Sequence, residues 1–200
     1  MSQDYFAHKA ADFDKNKSRT DNVQHIADTL TATIALNREM HLMDFGSGTG
    51  LLLERIAPQA GKITAVDVSE SMNAQLLAKQ ERIACELELR AIDLVSETLD
   101  ERFDGIISSM TLHHIADIPA LLRKFHQLLK PGGFIALADL DREDGSFHSE
   151  DTGVFHHGFD RDTLCAIARD AGFSDVTIQQ ASVISKPHRD FSVFLLTAHR

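Results

Sequence analysis

Apolar residues recur along the chain in two alternating spacings, one typical of buried strands and one typical of amphipathic helices. Short runs rich in β-branched residues predict strands at 41–45, 62–68, 87–94, 103–109, 134–140, 176–184 and 191–199. Apolar positions three or four residues apart predict helices at 20–36, 51–57, 69–84, 117–133 and 160–172. Strands that alternate with helices are typical of a mainly parallel sheet covered on both faces. We therefore expect an α/β fold and a single domain over residues 1–200.

Polar residues mark the N-terminal ends of two predicted helices. Ser69 and Asp117 stand directly before apolar-periodic runs, and their side chains are typical helix N-caps. The helix that begins after Asp117 is expected to end at Lys130–Gly133, where a basic last turn is followed by proline and two glycines.

Further polar residues lie at or just after the predicted carboxyl ends of successive strands. They are Asp44, Asp67, Asp93, Ser109 and Asp139. In an open parallel sheet, a ligand binds beyond these strand ends, at the point where the strand order reverses. The sequence therefore predicts a ligand site along this edge of the sheet.

The first strand runs into a glycine loop, in the segment MDFGSGTGL. Gly46 and Gly48 fill the first two positions of the G-x-G-x-x-G dinucleotide fingerprint, but Leu51 stands at the third position and Gly50 comes one place early. Asp44 precedes the loop, where a carboxylate suits an ammonium group and is disfavoured beside a pyrophosphate. A tight turn without a ligand is the alternative interpretation. The departures from the fingerprint favour a ligand with an amino-acid end.

Two further aspartates are candidate ligand contacts. Asp67 ends the second predicted strand about 20 residues beyond the loop, a position suited to a carboxylate that accepts hydrogen bonds from both ribose hydroxyls. Asp93 closes the third predicted strand, where it would accept from an exocyclic amino group such as that of adenine. A helix cap or a solvated strand end is the alternative for each.

Five segments in this order resemble the successive motifs of the class I S-adenosylmethionine-dependent methyltransferases: LMDFGSGTG, ITAVDVS, AIDL, FDGIISSMTLHHI and LLKPGGFIALADL. The resemblance covers residues 35–140. Within the family, the chain is similar in particular to the small-molecule branch that includes ubiquinone- and menaquinone-biosynthesis methyltransferases. It implies a Rossmann-like three-layer α/β/α sandwich with a seven-stranded, mostly parallel sheet in the order 3-2-1-4-5-7-6, strand 7 being antiparallel. It also implies S-adenosyl-L-methionine as cofactor and S-adenosyl-L-homocysteine as product.

The resemblance assigns cofactor contacts residue by residue. Asp44 and the glycine loop would hold the methionine part, Asp67 the ribose, and Asp93 with Ile92 the adenine, while Ser109 would line the floor beside the sulfonium. The cofactor-binding residues implied in this way are Asp44, Gly46, Ser47, Gly48, Gly50, Asp67, Val68, Met72, Ile92, Asp93 and Ser109.

Histidines supply the candidates for chemistry on the acceptor side. His113 and His114 follow the fourth strand, and His156 and His157 follow the fifth, so both pairs should reach the same rim of the sheet. Histidine titrates near neutral pH and suits proton transfer. We take His113 and His156 as candidate catalytic residues, and His157 and Asp139 as candidate acceptor contacts; a packed structural histidine is the alternative. No zinc-ligand spacing is present, so no metal is predicted.

Two variable segments are expected to shape the acceptor side. The resemblance implies that residues 1–36 form a helical lid over the cofactor, with Tyr5 and Phe13 as substrate contacts, whereas an amphipathic surface helix is the alternative. The polar segment 141–158 contains two phenylalanines and is expected to form the acceptor loop, with a solvated loop as the alternative.

The net charge and the composition limit which classes of molecule the protein is expected to bind. The formal net charge is −10 and no basic cluster is present, which argues against binding to nucleic acid phosphates and favours a small-molecule acceptor. The two cysteines lie far apart in sequence, the N-terminus lacks an apolar signal region, and no apolar run approaches the ~18–20 residues of a membrane span. We expect a cytoplasmic protein without a membrane span, as a monomer or homodimer.

The expected activity is transfer of a methyl group to O, C or N of a small molecule, by in-line displacement. Because the methyl donor is already activated, positioning and exclusion of water are the main catalytic factors. Two alternatives stay open: a module of the same fold that binds the cofactor without turnover, and an NAD-dependent oxidoreductase, which Leu51 and Asp44 disfavour.

Overall fold

A computed structural model of the chain describes residues 9–148 and 152–200, in which seven strands form one sheet in the order β3-β2-β1-β4-β5-β7-β6. The strands are β1 (His41–Phe45), β2 (Lys62–Val66), β3 (Glu86–Arg90), β4 (Phe103–Ser109), β5 (Leu129–Leu140), β6 (Ser174–Lys186) and β7 (Arg189–His199). Neighbours from β3 to β5 pair in parallel, and β7 pairs antiparallel with β5 and β6. The predicted order and the antiparallel seventh strand are confirmed.

Helices cover both faces of this sheet. They are α1 (Lys17–Thr33), α2 (Leu51–Ile56), α3 (Glu70–Leu77), α4 (Ile118–Leu128) and α5 (Arg161–Asp170). Side chains of α1, α2 and α3 belong to one buried cluster, and those of α4 and α5 to the other. The fold is therefore the predicted α/β/α sandwich.

Alternation along the strands divides the core between the two faces. In β1, Leu42 packs into the cluster beneath α1–α3, and Met43 packs into the cluster beneath α4 and α5. Successive side chains of a strand point to opposite faces, so a strand covered on both sides is apolar at every position. Both side chains are fully buried, and burial of each stabilises the fold by roughly 1.5–3 kcal/mol.

Capping side chains begin α3 and α4 where the sequence predicted them. The Ser69 hydroxyl accepts from the Met72 amide at 3.2 Å, and the Asp117 carboxylate accepts from the Ala120 amide at 2.8 Å. Such a cap satisfies one of the amides that a helix leaves unpaired in its first turn, and its loss costs about 1 kcal/mol.

The predicted end of α4 is wrong by a few residues. The helix ends at Leu128, and Lys130–Gly133 lie in the first part of β5. Lys130 Nζ contacts both carboxylate oxygens of Asp104 at 2.8 and 3.0 Å, and Leu129 pairs with Phe103 of β4. β5 thus pairs with β4 on both sides of the Pro-Gly-Gly segment, which lies at a register shift between Leu129 and Phe134.

The third strand also ends earlier than predicted. β3 pairs only with β2, over Glu86–Arg90, because it lies at the edge of the sheet. Asp93 therefore lies three residues beyond the strand, in a turn.

The helix of the predicted lid belongs to the layer that covers the sheet. Val23, Ile26 and Leu30 of α1 are buried, and they pack in the same cluster as α2 and β7. Tyr5 and the rest of residues 1–8 lie outside the described residues. Among the helices that are described, none combines the length and the apolar character needed to cross a bilayer.

Candidate active site

The glycine loop connects β1 to α2 and adopts a backbone that glycine favours. Gly46 and Gly48 have φ angles of +67° and +54°, a region that side chains with a Cβ atom rarely occupy. A Cβ atom on Gly46 would lie 2.2 Å from Thr111 Cγ2, whereas a Cβ atom on Gly48 would meet nothing within 4 Å. The loop therefore packs tightly at Gly46 and borders open space at Gly48.

Asp44 lies at the base of this loop as a buried carboxyl group. Its side chain is in β1, the residue is 1% exposed, and neither carboxyl oxygen has a hydrogen-bond partner in the described part of the chain. Burial, and secondarily the negative charge of Asp67, raise the pKa of Asp44 to about 8. Asp44 is therefore mainly protonated at pH 7.

Two serine hydroxyls near Asp44 are also buried without a partner among the described residues. Ser47 is in the glycine loop, and Ser109 is the last residue of β4. Asp44 pairs in register with Ile107, two residues before Ser109 on the neighbouring strand. Buried polar atoms in proteins are nearly always hydrogen-bonded. Three such polar groups without partners, at the carboxyl ends of neighbouring strands, indicate a site where a polar ligand supplies the missing hydrogen bonds.

Asp67 follows β2 and is tied to the glycine loop. Its Oδ2 accepts from the Gly48 amide and its Oδ1 accepts from the Ser69 amide, both at 2.8 Å. The adjacent Val68 is 58% exposed, and Met72 is buried in the first turn of α3. A carboxylate with an exposed apolar side chain next to it suits a ligand that has both hydroxyl groups and an apolar ring.

Asp93 is not at a strand end, and its carboxylate is engaged within its own turn. Oδ1 accepts from the Val95 amide at 2.9 Å, and Oδ2 accepts from the Ser96 hydroxyl at 3.0 Å. The residue is exposed, while the neighbouring Ile92 is half-buried. The contact of Asp93 with an adenine amino group stays a prediction.

His113 and Asp139 form a buried pair between β4 and β5. Asp139 Oδ1 accepts from His113 Nδ1 at 2.7 Å, and Oδ2 accepts from the His113 amide at 3.2 Å. The Leu140 amide also donates to Oδ1, at 2.7 Å. A carboxylate acceptor places the imidazole proton on Nδ1, which leaves the lone pair on Nε2. Asp139 thus contacts His113, and its contact with the acceptor stays a prediction.

Two other histidines pack beside His113. The ring of His114 lies 4.3 Å from the ring of His113, and the ring of His148 lies 5.0 Å from it. Burial lowers the pKa of His114 to about 4 and also lowers the pKa of His148. The His114 imidazole is therefore neutral at pH 7. His148 could not be recognised from the sequence, because a single histidine in a polar loop has no distinguishing spacing.

The second histidine pair has different surroundings. His156 Nε2 donates to the Ile115 carbonyl at 2.9 Å, and the His156 amide donates to the His113 carbonyl at 3.2 Å. His157 is exposed, with Nδ1 3.6 Å from Glu143 Oε1. His156 therefore fastens the loop after β5 to the segment that carries His113.

Phe13 lies on the face of the sheet covered by α1–α3. Its ring packs against the buried cluster on that face, and the Arg19 guanidinium lies 3.7 Å from the ring centroid. Arg19 also donates to the Phe13 carbonyl at 2.7 Å. Over residues 9–148 and 152–200, no group of three or more His, Cys, Asp or Glu side chains is arranged to hold a metal ion.

Comparison with known proteins places the chain in a family. Residues 18–178 match the family described as a methyltransferase domain. An uncharacterized methyltransferase of Schizosaccharomyces pombe is 30% identical over 156 residues, which are 70% of this chain and 55% of the relative. A ubiquinone biosynthesis O-methyltransferase of Nitrobacter winogradskyi is 32% identical over 108 residues, which are 54% of this chain and 41% of the relative. The chain spans about half the length of these curated relatives.

A solved structure has the same fold. The Burkholderia thailandensis 1,6-didemethyltoxoflavin-N1-methyltransferase, crystallised with 1,6-didemethyltoxoflavin and S-adenosylhomocysteine, matches with a TM-score of 0.76 at 21% sequence identity. The match covers 98% of this chain and 84% of that one. With the family match over residues 18–178 and the observed strand order, the chain belongs to the class I S-adenosylmethionine-dependent methyltransferases.

Proposed function

We propose that the chain binds S-adenosylmethionine at the glycine loop and transfers its methyl group to O, C or N of a small molecule. The observation that carries this proposal is Asp44, a buried carboxyl group without a hydrogen-bond partner in the described part of the chain. An uncompensated group of this kind costs several kcal/mol of stability, and a protein retains it where a ligand supplies the partner. The α-ammonium group of the cofactor is a partner of the right charge.

The other polar groups of the site fit the same cofactor. Ser47 and Ser109 supply buried hydroxyls without protein partners for the methionine part, and Gly48 leaves room for close approach to the loop. Asp67 is fixed by two backbone amides with its carboxylate at the loop, where it would accept from the ribose hydroxyls. Val68 and Ile92 would contact the adenine ring, and Met72 supports the turn that carries Asp67.

Methyl transfer to a hydroxyl group needs a place for the hydroxyl proton. S-adenosylmethionine supplies an activated methyl group when it is bound. The protein holds His113 with its Nδ1 proton directed at Asp139, so Nε2 is the atom that would accept a proton. The buried Asp139 carboxylate stabilises the imidazolium that results. An acceptor that carries no proton on the attacked atom needs only positioning and exclusion of water.

Two of the proteins that are similar to this chain support the proposal. The Nitrobacter relative is named as an O-methyltransferase of ubiquinone biosynthesis, and the Burkholderia structure holds S-adenosylhomocysteine together with a small heterocyclic molecule. Both act on small molecules, which agrees with the acidic net charge of this chain.

The experiment that tests the proposal is calorimetric titration with S-adenosylhomocysteine, followed by an assay for its formation from S-adenosylmethionine and a panel of small phenols, amines and carbon acids. We expect saturable one-to-one binding and turnover with one acceptor class. Absence of saturable binding would refute the proposal. Binding without turnover on any acceptor would favour the alternative of a binding module, and displacement of S-adenosylhomocysteine by NAD⁺ would favour an oxidoreductase.

A further inference from the structure

The segment that precedes α1 is attached to the glycine loop by a polar contact. This segment is a 3₁₀ helix, Ala10–Lys15, that carries Asp14. The Thr49 hydroxyl donates to Asp14 Oδ1 at 2.6 Å, and Lys79 Nζ lies 2.5 Å from Asp14 Oδ2. Lys79 Nζ also donates to the Thr49 carbonyl at 2.8 Å. Asp14, Thr49 and Lys79 thus form a closed set of contacts, which we call the loop clamp.

Lys79 is the centre of the loop clamp. It lies just beyond the end of α3, its side chain is 11% exposed, and its third contact is Glu54 Oε2 of α2 at 3.3 Å. The Lys79 ammonium group therefore contacts three oxygens, one each from Asp14 in the N-terminal segment, Thr49 in the glycine loop and Glu54 in α2. The Asp14 and Glu54 side chains are 33% and 28% exposed, so removal of Lys79 leaves two partly buried carboxylates without the cation that they share.

The loop clamp acts on the part of the loop that faces the proposed cofactor. Thr49 lies directly after Gly48, whose amide donates to Asp67. Thr49 is 2% exposed, and both its hydroxyl and its carbonyl are used by the clamp. The orientation of the Gly48 amide is therefore connected, through one peptide unit, to the contact between Asp14 and Lys79.

Other ion pairs near the N-terminus are of a different kind. Lys15 pairs with Asp12 and Lys17 pairs with Asp21, at spacings of three and four residues, and these side chains are more than half exposed. Exposed local pairs of this kind contribute little to stability, and they join no separate elements. They provide matched controls for the loop clamp.

We propose that Lys79 is a positioning residue that couples docking of the N-terminal segment 10–15 to cofactor affinity. The inference rests on the proposed function, because it takes S-adenosylmethionine as the ligand of the glycine loop. A coupling between two binding events is reciprocal. Cofactor bound at the loop therefore tightens the docked segment by the same factor by which the docked segment tightens the cofactor.

The test measures both sides of this coupling in the full chain. The dissociation constant of S-adenosylhomocysteine is determined by calorimetry, and hydrogen exchange of the amides in residues 10–15 is followed with and without it. In the unmodified protein we expect S-adenosylhomocysteine to slow this exchange. In Lys79→Met we expect ~tenfold weaker binding and loss of the ligand-dependent slowing. Lys15→Met should match the unmodified protein in both measurements.

A second variant keeps the test independent of folding problems in Lys79→Met. Asp14→Ala leaves Lys79 paired with Glu54 and the Thr49 carbonyl, and it should show the same loss of coupling. If the clamp acts as a unit, the double variant loses no more than ~twofold beyond Lys79→Met alone. Unchanged binding and unchanged slowing in Asp14→Ala would overturn the inference alone. Failure of the unmodified protein to bind S-adenosylhomocysteine would overturn the proposed function and the inference with it.

Discussion

Replacement of Asp44 by asparagine separates the stability of the protein from its capacity to bind the cofactor. The pKa of Asp44 is raised from 3.8 to about 8 by burial and by Asp67. The folded state therefore holds the Asp44 proton more tightly than the unfolded state does. The resulting penalty on folding is absent below pH 3.8, grows as the pH rises, and is complete above pH 8. At pH 7 it reaches about 4 kcal/mol, from roughly three pKa units at 1.36 kcal/mol each.

Asparagine has nearly the same shape and does not titrate. Without cofactor, Asp44→Asn should gain up to about 4 kcal/mol of stability at pH 7 and nothing at pH 3.5, which corresponds to roughly 2–4 °C in Tm per kcal/mol. Thermal unfolding of both proteins between pH 3.5 and 8 measures this difference. The exposed Asp12→Asn is the control, since its side chain is 76% exposed. A Tm difference that does not grow with pH would refute the reasoning.

The same substitution has the opposite effect on the cofactor. An ammonium group beside Asp44 favours the ionised carboxylate, so binding of S-adenosylhomocysteine at pH 7 should release up to one proton from Asp44. Calorimetry in buffers of different ionisation enthalpy measures this release. Asp44→Asn should abolish it and weaken binding by at least ~tenfold. A variant that binds as tightly as the unmodified protein would remove Asp44 from the site.

Substitutions at Asp67, His113 and Gly46 test other parts of the site. Asp67→Ala should weaken binding of S-adenosylhomocysteine at least ~tenfold by calorimetry, because hydrogen bonds to a charged acceptor are lost; an unchanged dissociation constant would remove Asp67 from the site. His113→Gln should lower kcat/KM for a hydroxyl acceptor ~100-fold or more; an unchanged kcat/KM would exclude His113 as the base. Gly46→Ala should lower Tm and the affinity for S-adenosylhomocysteine, because a Cβ atom there clashes with Thr111 and the backbone is strained. Gly132→Ala is the control, since it adds backbone strain without a clash and should have a smaller effect. Similar Tm values for the two variants would refute tight packing at Gly46.

The central part of the fold and the glycine loop follow from local sequence patterns. Three of the five residues of His41–Phe45 are apolar, and Gly46 and Gly48 stand where the backbone needs positive φ angles. Both features depend on neighbours in the sequence, so the sequence alone locates β1 and the loop. The strand order came from the resemblance, because it depends on contacts between residues distant in sequence.

Other features depend on tertiary contacts and could not be predicted. β3 ends at Arg90, opposite the last residue of its one neighbour β2, although the apolar alternation continues to position 94. Lys130–Gly133 have the sequence of a helix stop, but the flanking Leu129 and Phe134 pair with β4, which places this segment inside β5. The loop clamp joins Asp14 to Lys79, 65 positions later, and neither charge lies in a pattern that reveals its partner.

Binding of S-adenosylhomocysteine to the unmodified chain is the most direct test of the central claim, that a buried carboxyl group and a glycine loop form a site for the methyl donor. Calorimetric titration at pH 7 and 8, repeated with NAD⁺, is the measurement. We predict saturable one-to-one binding of S-adenosylhomocysteine and no saturable heat with NAD⁺. Absence of saturable binding by S-adenosylhomocysteine, or NAD⁺ binding that it does not displace, would contradict the account.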